Sequence, residues 1–299
     1  MCRLLLAAIS REAVSTLLQL LDAYRKAVWS DPLLEKVYGG KSHCDGVGVV
    51  VALAMGGSWS IYYERFDAYG YASNPCMVNL SALDVVLERV RGIAIGGGWD
   101  RLVLMIHSRR ASRGGRDSRG EPRGTLYAHP FHYNIVGSNG TIDLFFSHNG
   151  GVDKERLADM LDVKGSLDMY SDSLLAGFYL SNMLSKGYNI VAAVKSLAPF
   201  VKPKSALNLN MLLFSSDGTK TRARAYAVGL LSFEAKNDPN RRAYYESILV
   251  LGRGLVGYVS STVRDYGSGI RGLTFNTFNG KLVEIDPITL TYNVVELES

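Results

Sequence analysis

The residue best equipped for chemistry is Cys2. The chain opens Met1-Cys2-Arg3, and a side chain as small as cysteine permits removal of the initiator methionine. Removal would leave a thiol and a free α-amine on one carbon, a nucleophile beside its own base, as in enzymes that use a terminal threonine. The alternative is a small apolar residue that opens a buried strand. Four further stretches carry polar side chains next to runs that read as strands: His43-Cys44-Asp45-Gly46-Val47-Gly48, His107-Ser108-Arg109-Arg110-Ala111-Ser112, His129-Pro130-Phe131 and Ser147-His148-Asn149-Gly150-Gly151. Ser171-Asp172-Ser173 adds a carboxylate. All five histidines and all three cysteines lie in the first half of the chain. Polar chemistry is therefore expected from about the first 180 residues, with later residues building the frame. The histidines lack i,i+4 pairing and have no cysteine pairs beside them, so they read as hydrogen-bonded frame residues and not as metal ligands.

These stretches need elements to position them. Residues 3–9 form an apolar run that reads as a buried strand. Ser10 is a candidate cap for an amphipathic helix over 11–29, where Val14, Leu17, Leu18, Leu21 and Val28 fall at helical spacing. Residues 47–54 and 59–65 flank Gly56-Gly57 and predict a hairpin. A helix is expected over 81–94 and a strand over 102–106. The polar stretch 112–126 reads as a loop. Asn139-Gly140 is a hairpin turn leading into a strand at 142–146. Helices are expected near 153–163, 172–186 and 189–198. Strands are then expected over 207–214, 221–230, 245–251, 255–262, 271–278 and 281–286, with Asn279-Gly280 as a second hairpin turn. Such segregation predicts an α+β layered domain, sheet on sheet with helices outside.

Bulk properties narrow the class. The 299 residues, 47% hydrophobic and 20% charged, suit a soluble globular protein that buries a sizeable core. A net charge of +5 is too mild to demand nucleic acid or an anionic membrane as partner. Cys2, Cys44 and Cys76 make an odd count without framework spacing, which points to a reducing compartment and away from a disulfide scaffold. Leu4 to Ile9 is too short for a signal segment, and no apolar run reaches the roughly 20 residues of a membrane span. A cytoplasmic protein is expected. The single glutamine, Gln19, among many arginines hints at a heat-adapted source.

Taken together with Met1-Cys2, the polar stretches occur in the order of a known family. The chain resembles the class II glutamine amidotransferase domain, one of the N-terminal-nucleophile hydrolases, over most of residues 2–175. The resemblance implies a four-layer αββα sandwich with two mainly antiparallel sheets between helix layers, here as one domain over 1–299. It implies that the Cys2 thiol attacks the side-chain carbonyl of glutamine. The α-amine, with an ordinary pKa of about 8, moves the protons. The side-chain amide of Asn149 and the backbone N–H of Gly150 would hold the oxyanion. Arg109 would clamp the substrate carboxylate with its planar fork, and Asp172 would pair with the ammonium. His107 and Ser108, in the same stretch as Arg109, are placed with it on the substrate side. No cofactor and no metal are implied.

Each assignment has a plainer counterpart. Asn149-Gly150 could be a hairpin turn, but Asp153-Lys154-Glu155-Arg156-Leu157 follows and reads as a helix. Asp172 could be a helix N-cap, and could do both jobs. The sequence departs from the family pattern at Arg110, where an aromatic residue is common, at Ser112 in place of threonine, and at Val47 in place of tryptophan. Adjacent Arg109 and Arg110 leave open which one faces the pocket; neighbours at a strand end point to opposite sides, and alignment on His107 favours Arg109. Gly252-Arg253-Gly254-Leu255-Val256-Gly257 matches a dinucleotide-binding pattern, but no helix follows it, so a tight turn is expected. The seven arginines between 101 and 123 lack the interleaved aromatics of an RNA surface.

The expectation is a free-standing glutaminase-type domain that releases glutamate and ammonia through a Cys2 thioester. The ammonia would pass to a separate synthase subunit. One alternative is an amidohydrolase acting on the γ-glutamyl amide of a small metabolite, and another is an inactive scaffold that retains Met1.

Overall fold

The first strand decides the layout of the molecule. The structure, a computed structural model, describes residues 2–69, 72–111, 127–137 and 140–297. Met1, the loop expected over 112–126 and Asn139 lie outside these residues. Cys2–Ile9 form β1, buried along its whole length, because packing covers both faces of the strand. β1 pairs antiparallel with β4 (Arg101–Arg109), which places Cys2 opposite Arg109 and Leu4 opposite His107. On its other edge β1 pairs with β10 (Leu255–Ser260), which follows β9 (Ser247–Gly252) and β11 (Leu273–Thr277) inward from the sheet edge. Beyond β4 lie β2 (Val47–Met55) and β3 (Ser58–Phe66). The first sheet therefore runs β11-β9-β10-β1-β4-β2-β3.

The second sheet runs β13-β12-β8-β7-β6-β5, again antiparallel throughout. Its strands are β5 (Phe131–Gly137), β6 (Gly140–Gly150), β7 (Ala206–Ser216), β8 (Thr221–Leu231), β12 (Lys281–Asp286) and β13 (Thr291–Glu296). Alternation splits each strand between two environments. Leu4, Leu6, Ala8, Val50 and Met105 of the first sheet meet Phe145, Leu212, Phe214 and Ala225 of the second in a shared inner core. Leu5, Ala7, Ile9, Val49 and Leu104 point outward under α1 (Val14–Trp29) and α3 (Pro75–Gly96). The outer face of the second sheet packs under α4 (Lys154–Met160), α5 (Asp172–Ser185) and α6 (Ile190–Leu197). The result is the αββα sandwich expected from the sequence.

Several elements differ from expectation. Asn279-Gly280 is not a hairpin turn: β11 and β12 belong to different sheets, and the turn carries the chain from one layer to the other. The run 255–262 splits, because β10 ends at Ser260 and α9 (Ser261–Gly267) begins at the next residue. Short helices α2 (Pro32–Tyr38), α7 (Phe233–Asn237) and α8 (Pro239–Tyr245), and edge strands β5 and β13, were not expected. The β5–β6 hairpin pairing is present, with Gly137 opposite Gly140. Arg253 and Gly254 form the turn between β9 and β10, as expected.

The cysteine expectation is corrected. Cys44 and Cys76 form a disulfide with a Cα–Cα distance of 4.8 Å. It ties the segment before β2 to the first turn of α3, residues 32 positions apart that only the folded chain brings together. Among the described residues Cys2 is the free cysteine. No helix among them is long and apolar enough to cross a membrane.

Candidate active site

The two sheets bring the expected residues to one end of the inner layer. Cys2, His107 and Arg109 share the inner face of the first sheet with Leu4, Leu6 and Met105, since they alternate in register with those residues. In β6, Ser147 and Asn149 share the inner face with Phe145. Asn149 Oδ1 accepts a hydrogen bond from the main-chain nitrogen of Cys2 at 2.8 Å. That bond fixes the amide orientation and aims Nδ2 elsewhere. Nδ2 is buried and has no hydrogen-bond partner among the described residues. A buried amide N–H without a partner is costly in a resting protein, which marks it as a donor waiting for an acceptor.

Gly150 follows at φ +152°, where a Cβ would sit 1.7 Å from the carbonyl oxygen of Ala206 and 2.9 Å from His148 Nε2. No larger residue fits against the β7 backbone there, so the position requires glycine. Cys2, Arg109, Arg110, Ala111, His129, His148, Gly150, Ser171, Asp172 and Ser173 line a cleft of about 30 Å³, room for one or two waters or an amide group.

The electrostatics favour a reactive thiol. Burial alone would raise the Cys2 thiol, but in the chain that carries Met1 the neighbouring His107 and the amino terminus at position 1, with the N–H of Arg110, lower it to about 6. A thiol so shifted is mostly thiolate at neutral pH. Neither ring nitrogen of His107 meets full hydrogen-bond geometry among the described residues, yet the ring lies close enough to lower the thiol. The His107 ring centre lies 4.2 Å from that of His129, with the two planes tilted by 35°. Burial, with the charge of His107 adding to it, pushes His129 well below its ordinary value, so that ring is neutral. His148 is lowered to about 4, chiefly by burial, and its Nδ1 shares a hydrogen bond of 2.9 Å with the Ser173 hydroxyl.

Both arginines line the cleft. Arg109 is buried, with Nη1 near the Asp45 carbonyl at 3.5 Å and its guanidinium 6.0 Å from the Tyr127 ring centre. Arg110 is less buried and lies 3.7 Å from Asp45 Oδ1. Asp172 stands at the first turn of α5. The cap of that helix is Ser171, whose hydroxyl accepts from Leu174 N at 3.1 Å, so Asp172 is not the N-cap. The Asp172 carboxylate accepts from Val152 N at 3.3 Å and Ser173 N at 2.9 Å while facing the cleft.

Ser108 is a correction. As the residue between His107 and Arg109, it points to the opposite face, where Tyr24 Oη donates to its hydroxyl at 3.0 Å. Its side chain is part of the support under the sheet and does not line the cleft. The expectation of uniformly hydrogen-bonded histidines is corrected in the same way. His43 and His148 are bonded, whereas His129 has no ring partner among the described residues. Asp45 carries more of the site than its place in the second motif suggested. Its carboxylate accepts from Ala111 N at 2.7 Å and Tyr69 Oη at 3.1 Å, and its main chain pairs with Arg109. The one sequence signal was an aspartate wedged between Cys44 and Gly46. Among the described residues no group of three histidine, cysteine or acidic side chains could hold a metal ion.

No protein-family model matches this chain, and no curated protein matches it in sequence. Its fold does match solved structures. The glutamine phosphoribosylpyrophosphate amidotransferase from B. subtilis, complexed with ADP and GMP, superposes with a TM-score of 0.52 at 14% identity, over 99% of this chain and 49% of that one. A structure of the allosteric regulatory enzyme of purine biosynthesis superposes with a TM-score of 0.50 at 12% identity, again over 99% and 49%. The chain thus spans about half the length of the structures it matches, and at these identities the likeness is one of fold. It agrees with the αββα sandwich described above.

Proposed function

We propose that this protein hydrolyses the side-chain amide of glutamine to glutamate and ammonia, with Cys2 as nucleophile after loss of Met1. One observation carries the reading. A single amide, that of Asn149, accepts from the Cys2 nitrogen through Oδ1 while its buried Nδ2 lacks a partner among the described residues. This couples the nucleophile to an oxyanion donor with one rigid group.

In the proposed sequence the Cys2 thiolate attacks the amide carbon, and the π electrons move onto the carbonyl oxygen. Asn149 Nδ2 and the Gly150 N–H receive that oxyanion. The Cys2 α-ammonium gives its proton to the amide nitrogen, the C–N bond breaks and ammonia leaves. The α-amine, now a base, takes a proton from water as it attacks the thioester, and glutamate departs with the thiolate restored. Arg109 is the proposed partner of the substrate carboxylate and Asp172 of its ammonium, in keeping with their places around the cleft. His107 holds the thiolate form. The released ammonia is available to a synthase subunit.

The test is glutamate release from glutamine and from a panel of γ-glutamyl amides, using wild type and Cys2→Ala. Turnover of glutamine that vanishes in the variant supports the reading. Preference for a γ-glutamyl amide redirects it to the alternative substrate class, and full activity in Cys2→Ala would end it.

A further inference from the structure

Resting on the reading of Cys2 as nucleophile, we infer that Arg3, with Asp31 and His43, is a positioning device that holds the chain terminus in register for reaction. Terminal residues of a chain ordinarily fray. A terminal nucleophile has no upstream chain to hold it, so beside the Asn149 bond to its nitrogen the restraint falls on the residue that follows. Arg3 is fully buried and points to the face opposite Cys2.

Its ties reach four separate helices. Nε donates to Asp31 Oδ2 at 2.6 Å, where Asp31 caps α2. Nη2 donates to Thr262 Oγ1 in α9 at 2.8 Å, and Nη1 donates to the carbonyl of Tyr244 near the end of α8 at 3.2 Å. The guanidinium also lies 4.3 Å from the Tyr244 ring centre. Tyr24 Oη of α1 donates to the Arg3 carbonyl at 3.1 Å.

Asp31 is saturated in turn. Its oxygens accept from Leu33 N, Leu34 N, Thr262 Oγ1 and, at 2.6 Å, His43 Nε2. Each group is enclosed, so none can shift without leaving a charge or donor unpaired. The planar fork of Arg3 is the part a lysine cannot reproduce. A buried ion pair of this sort is a poor source of stability and a good source of unique geometry, which is what a terminal nucleophile requires.

The device differs from the catalytic machinery because it touches neither thiol nor cleft. Misplacing a reacting atom by about 1 Å can cost about 100-fold in rate without weakening substrate binding. The experiment compares Arg3→Met and Arg3→Lys with wild type, after intact mass confirms loss of Met1 and thermal melting confirms the folded fraction. Expected are a fall in kcat of about 10- to 100-fold for Arg3→Met, a smaller fall for Arg3→Lys, and KM within about threefold for both.

Iodoacetamide labelling of Cys2 against pH gives a readout independent of turnover. The charged and titratable groups around the thiol are the amino terminus, His107, Arg109, Arg110, His129, His148 and Asp172, with Tyr24 and Tyr244 on the far face of the strand. If Arg3 sets the thiol among them, the labelling midpoint moves up in Arg3→Met, toward that of an ordinary cysteine. An unchanged midpoint in folded Arg3→Met overturns the inference, as does unchanged kcat or a loss confined to KM. Where wild type hydrolyses no glutamine or γ-glutamyl amide, the functional reading fails by itself, and the labelling midpoint still decides the role of Arg3.

Discussion

Replacing Asn149 by aspartate separates the two jobs assigned to its amide. Aspartate has the same shape and keeps an acceptor where Oδ1 lies, 2.8 Å from the Cys2 nitrogen. It also puts an oxygen where the unpartnered Nδ2 stands. The tether to the terminus survives and the oxyanion donor is lost. Removal of one such donor typically costs 10²–10³ in kcat, about 3–4 kcal/mol of transition-state stabilisation. A carboxylate facing a developing oxyanion adds repulsion, so the fall expected for Asn149→Asp is at the upper end of that range or beyond. Asn149→Ala removes both functions and is expected to lose a similar factor, with a lower melting temperature because the Cys2 nitrogen loses its acceptor. The assay is steady-state glutamate release with kcat and KM resolved, alongside thermal melting. If folded Asn149→Asp keeps more than about a tenth of the wild-type kcat, or loses only in KM, the oxyanion role of Nδ2 is wrong.

Three other outcomes are expected. The kcat/KM profile should rise through an acid limb near pH 6, where the Cys2 thiolate forms, and His107→Asn should move that limb upward; an acid limb near the ordinary thiol value in wild type contradicts the assigned environment. Folded-state values of about 4 for His43 and His148 lie below the unfolded value of about 6.5, so the unfolded chain takes up protons first and stability falls as pH drops through that window, by at most about 1.4 kcal/mol per pH unit for each; a melting temperature constant from pH 7 to 4.5 would rule this out. Closing a loop of 32 residues, the Cys44–Cys76 disulfide should stabilise the fold by roughly 3–4 kcal/mol, so Cys44→Ser with Cys76→Ser should melt lower and should not bind a maleimide reagent at those positions, whereas reduced wild type should.

Much of the sandwich was legible because its central strands are apolar along their length and its helices carry clear periodicity. The run after Arg3 could only be a buried strand, and its pairing with Arg101–Arg109 places Cys2 opposite Arg109. What escaped depended on partners distant in sequence. Asn279-Gly280 has the chemistry of a hairpin turn, yet which sheet receives β12 is settled by pairing with β8, far away in the chain. β5 alternates cleanly from Phe131 to Ile135, but as an edge strand it lacks the long apolar run that drew attention elsewhere. α2 had its signals, Asp31 before Pro32 and Gly39 at φ +74°, in a stretch too short for helical periodicity to register. Motif adjacency says nothing about faces: the strand sends the Ser108 hydroxyl to Tyr24 and Arg109 to the cleft. Arg3 stood beside the nucleophile in sequence, but its importance shows only once Asp31, Tyr244 and Thr262 converge on it. Cys44 and Cys76 read as unpaired thiols because 32 residues of chain separate sulfurs that α3 folds together.

The central claim is that Cys2, with its own free amine, attacks a glutamine-type side-chain amide. It is tested most directly by treating the protein with the glutamine affinity label 6-diazo-5-oxo-norleucine and mapping the adduct by peptide mass spectrometry. The expected result is one label, on a peptide that begins at Cys2 without Met1, with Cys44 and Cys76 unmodified and labelling prevented by excess glutamine. A terminal peptide that still carries Met1, or a label placed elsewhere than Cys2, would contradict it.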